Sequence, residues 1–153
     1  RRRSCARREA AGEDKVAPPW RRPERPTAVL HLPRMSPADP HILIEPVTRA
    51  QLAQMAEARF GALVKAVVDI RLGVMAVSGE LHSDEEALLL ERGSRQADLW
   101  GINLYPSEAG DDWIEFDSMI NVRPSQGNRA RGVEDGAIRA AIVQVVGTLV
   151  TDA

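Results

Sequence analysis

The spacing of apolar residues changes several times along the chain, and each change predicts an element. His41–Glu45 is a short apolar run closed by Pro46 and reads as a strand. Thr48 then opens a helix. Gln51, three residues on, completes a capping box, Leu52, Met55, Ala56 and Phe60 recur at helical spacing, and Gly61 ends it. Leu63–Ile70 and Val74–Ser78 flank Arg71-Leu72-Gly73 and predict a hairpin. Ser83 with Glu86 reads as a second capping box, followed by a short helix over Ala87–Leu90 with Gly93 past its end. Leu99–Tyr105 and Trp113–Val122 predict a second hairpin around a polar loop, 106–112. A long polar loop, 123–134, precedes a helix capped by Asp135. Its Ile138, Ala141, Ile142, Val145, Val146 and Leu149 form one stripe. The order β-α-ββ-α-ββ-α predicts an α+β fold with an antiparallel or mixed sheet and its helices packed on one face.

The second hairpin carries the most chemistry. Side chains of a strand alternate between faces. Ile114, Phe116, Ser118, Ile120 and Val122 form one set in Trp113–Val122, and Trp113, Glu115, Asp117, Met119 and Asn121 the other. With Tyr105 placed opposite Trp113, Asn103 faces Glu115 and Gly101 faces Asp117. Two carboxylates, an amide, a phenol and an indole then share one surface. That surface is either a binding site or a solvated sheet face.

Composition divides the chain in two. Residues 1–34 hold ten Lys/Arg against four Asp/Glu, a net of +6, whereas residues 35–153 hold ten against eighteen, a net of −8. The first stretch, rich in Arg and Pro and without periodicity, is expected to be disordered, because it cannot bury enough apolar surface to offset its ordering entropy. It reads either as a basic arm for nucleic acid or as translated sequence upstream of a natural start at Met35, and the lack of an initial Met favours the latter. Residues 35–153 form the expected single domain. Its acidity argues against phosphate-driven nucleic-acid binding and against docking on anionic membranes. No apolar run approaches the ~20 residues that span a bilayer. The only cysteine, Cys5, lies outside the domain, which fits a cytoplasmic protein and leaves no Cys-based zinc site.

Two constellations compete for the chemistry. Asp69, Glu80, His82, Glu115 and Asp117 offer oxygen and imidazole donors that could share a divalent ion for hydrolysis. Against this, Asp84, Glu85 and Glu86 are explained by a helix first turn, one histidine is a weak signal, and no nucleophile motif is present. The second is the loop with Arg123, Ser125, Gln126, Asn128, Arg129 and Arg131. Arginine forks and glycine-exposed backbone N–H groups suit phosphate and carboxylate. The alternative is a structural loop whose arginines pair with the acidic body.

The runs Val64–Ile70, Gly79-Glu-Leu-His with Asp84–Glu91, Leu99-Trp-Gly-Ile-Asn-Leu-Tyr-Pro, Trp113-Ile-Glu-Phe-Asp-Ser-Met-Ile-Asn and Arg123-Pro-Ser-Gln-Gly-Asn-Arg resemble an uncharacterised bacterial family, domain of unknown function 5674, over about residues 41–150. The resemblance implies no activity. The reading taken forward is a non-catalytic binding or interaction module for an anionic small molecule or a protein partner. Its site combines Asn103, Tyr105, Trp113, Glu115 and Asp117 with the 123–131 loop. A metal-dependent hydrolase and an RNA-binding protein are the alternatives. No cofactor is evident beyond that divalent metal, and a homo-oligomer is open.

Overall fold

The computed structural model describes Ser36 and residues 38–152, so the expectations for residues 1–34 and for Met35 lie outside the described residues. A five-stranded antiparallel sheet is built from β1 (His41–Leu43), β3 (Val64–Asp69), β4 (Val74–Val77), β5 (Leu99–Leu104) and β6 (Ile114–Glu115), in the spatial order β1-β4-β3-β5-β6. Two two-residue strands, β2 (Val47–Thr48) and β7 (Val150–Thr151), pair in parallel and bring the start of α1 (Arg49–Arg59) beside the end of α3 (Gly136–Leu149). The fold is α+β with an open sheet, as the hydrophobic pattern predicts.

The caps explain where most helices begin. Thr48 Oγ1 accepts from Gln51 N–H while the Gln51 side chain accepts from Thr48 N–H, closing the expected box. Asp135 accepts from Ala137 and Ile138 N–H ahead of α3. α2 (His82–Glu91) departs from expectation. It starts at His82, with Leu81 at the cap, and the Ser83–Glu86 box does not form. Leucine has no oxygen to offer the first-turn N–H groups, and only the reverse half of a box forms, the Asp84 carboxylate accepting from Leu81 N–H at 3.1 Å.

The helices lie on both faces of the sheet, which corrects the expectation of one. Leu52 and Ala56 of α1 and Ile142, Val146 and Leu149 of α3 pack against Ala66, Val68, Trp100, Ile102 and Leu104 to form the main core. On the other face Leu89 of α2 packs with Val67, Ala76 and Leu99. β3 and β5 are therefore buried on both sides, which is why they read as nearly continuous apolar runs rather than as alternations.

The predicted strand Trp113–Val122 is also corrected. Only Ile114 and Glu115 join the ladder, although the predicted register holds: Asn103 faces Glu115. Gly101 does not face Asp117. A Cβ there would lie 2.5 Å from Ser118 Cβ, so Ser118 fills the space beside the glycine. The chain then turns through Met119–Asn121, and the Asn121 amide takes the place of a strand. Its Oδ1 accepts from Gly101 N–H at 2.8 Å and its Nδ2 donates to Gly101 C=O at 2.9 Å. Among the described residues no helix is long and apolar enough to cross a membrane.

Candidate functional site

Odd-numbered residues of β3 and β5 project toward the α2 side. Register places Lys65 directly opposite Asn103, and such cross-strand neighbours have Cβ atoms about 5 Å apart. Beyond them the start of α2 presents Leu81, His82 and Ser83, and the segment after β6 presents Asp117, Ser118 and Met119. Together with Ile120 and Arg131 these residues line a cleft of about 230 Å³. It is smaller than typical small-molecule sites, which hold about 300–1,000 Å³, and so suits only a compact ligand.

Most of its polar groups have defined partners, and one buried acceptor has none. Lys65 Nζ donates to Glu80 C=O at 3.0 Å, leaving the ammonium with further donors. Arg131 forms a two-point pair with Asp117, at 2.6 and 3.1 Å. His82 Nε2 meets Ile102 C=O at 2.8 Å and so must carry the proton and donate. Burial lowers the His82 pKa, opposed by that hydrogen bond, and keeps the ring neutral with Nδ1 as an acceptor. Asn103 is only 8% exposed. Its Nδ2 is held by Glu115 at 2.8 Å and, more loosely, by the Asp117 carbonyl at 3.4 Å. Both are acceptors, which fixes the amide orientation and leaves Oδ1 buried with no partner, turned away from β6. An orphaned buried acceptor costs about 1–3 kcal/mol. Beneath the cleft, Glu85 is fully buried. One oxygen accepts from Gly79 N–H at 2.8 Å, the other has no partner, and burial pushes its pKa up to about 8. Beside it Ser78 holds the left-handed conformation (φ 70°) that non-glycine residues avoid.

The predicted site residues separate into three places. Asn103 and Asp117 line the cleft with Arg131, and Glu115 flanks it, accepting from Asn103 and from Tyr105 Oη. Burial, then the hydrogen bond and charge of Glu115, raises the Tyr105 pKa. Trp113 leaves the group. It stands in the turn before β6, where strand alternation does not govern direction, and it packs on the main core under the Arg49 guanidinium, 4.1 Å from the ring centre. In the arginine loop Arg123 and Asn128 are built inward. Arg123 donates to the carbonyls of Ile120, Gln96 and Leu99 at 2.9, 2.7 and 2.6 Å, and burial lowers its pKa. Asn128 donates to three loop carbonyls and accepts from Glu134 N–H. Ser125 and Gln126 lie in a helical turn lining a separate polar hollow beside Arg123, where Gln126 donates to Ala97 C=O. Arg129 is exposed.

The proposed metal set is not assembled. Asp69 lies at the opposite end of β3 from Lys65 and caps the hairpin turn by accepting from Arg71 and Leu72 N–H. Glu80 faces outward toward Arg59 at 3.7 Å. Among the described residues no group of three or more His, Cys, Asp or Glu could hold a metal ion.

Sequence reasoning missed Lys65, Leu81 and Ser83 as neighbours of Asn103. Two signals were present: the domain's only lysine sits inside an apolar strand, and a leucine stands where a helix wants a cap. A larger groove of about 440 Å³ runs along β1. Among the described residues its lining is mostly apolar, with Ser36, His41 and Arg92 as the polar members, and holds none of the orphaned polar atoms.

Residues 41–149, which carry every element of the sheet and all three helices, match the family described as protein of unknown function DUF5674. The chain belongs to the DUF5674 family. No curated protein and no solved structure matches it. In this DUF5674 domain the matched stretch includes the whole cleft, from Lys65 to Arg131.

Proposed function

We propose that this DUF5674 domain is a binding module that takes a small anionic molecule in the cleft at the N-terminus of α2. The observation that supports this most is the buried, unpartnered Oδ1 of Asn103, in a cleft that Lys65 and a helix start without a side-chain cap also line. A helix N-terminus with free N–H groups carries roughly half a positive charge, and anions are stabilised there. Asp84 N–H is occupied by Leu81 C=O, which leaves the N–H groups of His82 and Ser83 to answer an anion. Lys65 adds a full charge, and Arg131 keeps spare donors beyond its pair with Asp117. A neutral His82 adds no charge.

The test is a thermal-shift titration of the full chain with inorganic phosphate and with succinate, because a ligand that binds only the folded state raises its melting temperature. The expected result is a rise that saturates with one of these anions and is lost in Lys65→Met, whose side chain keeps the apolar stem. Equal shifts in both proteins, or none in either, would remove the cleft from consideration.

A further inference from the structure

Resting on that reading, we infer that the ligand is not a bare anion: beside its anionic group it carries an O–H or N–H donor that pairs with Asn103 Oδ1.

A pure anion would answer Lys65 and the α2 N–H groups and leave Oδ1 as it is. The acceptor cannot be satisfied from within the protein by turning the amide over. Turning it would place an oxygen against Glu115 Oε2 and the Asp117 carbonyl, both of which now accept from Nδ2. Nor does Lys65 satisfy it, because its hydrogen bond is directed to Glu80 C=O. Asn103 is pinned from behind, buried, and directly across from the lysine. Lys65 and Asn103 line one cleft of about 230 Å³, so the anionic and donor groups of one ligand belong to a single compact molecule, as in a hydroxy- or amino-substituted carboxylate or phosphate. The lips agree. Leu81 and Met119 are 55% and 66% exposed at the same cleft, apolar surface that would cover a short carbon skeleton.

Two matched pairs test this on the full chain by isothermal titration: malate against succinate, and glycerol 3-phosphate against n-propyl phosphate. Each pair compares molecules with and without hydroxyl groups, and the two pairs separate a carboxylate ligand from a phosphate one. Within the pair that binds, the hydroxylated member is expected to bind at least about tenfold tighter, because a site built to pair a hydroxyl rejects the analogue that lacks it. The ratio should fall toward one in Asn103→Leu, which removes the acceptor and leaves Glu115 in solvent. Equal affinities in the wild type overturn the donor inference while leaving the cleft in place, and so does a ratio unchanged in Asn103→Leu. The wild-type ratio decides the matter alone if that variant does not fold. Binding of no member of either pair overturns the cleft reading itself.

Discussion

Glu85 makes the pH dependence of stability open to calculation. Its carboxyl is fully buried, and its pKa stands at about 8 against an ordinary 4.5. Between those values the native chain keeps a proton that the unfolded chain releases. Stability from this group is complete below pH 4.5, falls as pH rises and levels off above about pH 8. One pKa unit corresponds to about 1.4 kcal/mol, so the loss is on the order of 5 kcal/mol in all. That is large against the 5–15 kcal/mol that holds a typical domain together. Glu85→Gln retains a carbonyl oxygen for Gly79 N–H and cannot ionise. Its amide NH₂ replaces a carboxylic O–H that has no acceptor either, so the cost of the unpaired group is similar in both proteins. The two proteins should therefore be about equally stable at pH 5, and the variant more stable by several kcal/mol at pH 8.5. Urea denaturation at half-unit steps from pH 5 to 9 measures this. Subtracting one curve from the other cancels the remaining carboxylates. A difference that stays flat across the range would refute the assignment of a buried, protonated carboxyl to Glu85.

Other substitutions probe how the site is held. Gly101→Ala should cost about 1–3 kcal/mol in denaturation, since its Cβ would meet Ser118 at 2.5 Å, and Ser118→Gly in the same chain should recover part of the loss. Asn121→Leu should cost about 3 kcal/mol, because Gly101 N–H and C=O both lose their partner in a buried place. Arg123→Met should destabilise by a comparable amount through three abandoned carbonyls, visible as a lower melting temperature. Leu81→Ser should raise stability by about 1 kcal/mol by capping α2, and an unchanged melting temperature would mean that those N–H groups are already satisfied.

Where local chemistry and packing agree, the residues announce the structure. The Thr48–Gln51 box, the turn around Gly73, the Asp135 cap and the stripe on α3 all form as their spacing predicts, because each is decided within a few residues. Asn103 opposite Glu115 follows from alternation and a turn of known length. The misreadings arise where distant groups decide. Trp113–Val122 keeps its alternation to the end, yet the Asn121 amide outcompetes a strand for Gly101. The pairing of Val47–Thr48 with Val150–Thr151 joins two segments far apart in the chain that no local pattern connects. The second-face position of α2 was legible in Ala66-Val67-Val68, an uninterrupted apolar run that only two-sided burial explains. The arginine loop looked like an anion trap because arginine fits phosphate and peptide carbonyls equally well. Arg123 serves the carbonyls.

The Asn121 amide also governs what the sheet can do to its neighbours in a crowded solution. A strand that ends beside open backbone is a template on which another molecule can grow. Beyond the two residues of β6, β5 would offer such a template at Gly101, but the asparagine occupies both its donor and its acceptor. The Asn121 amide, with Arg123 on the Leu99 carbonyl two residues away, thus finishes the sheet at this border, and removing the amide would reopen the donor and acceptor of Gly101 to another strand.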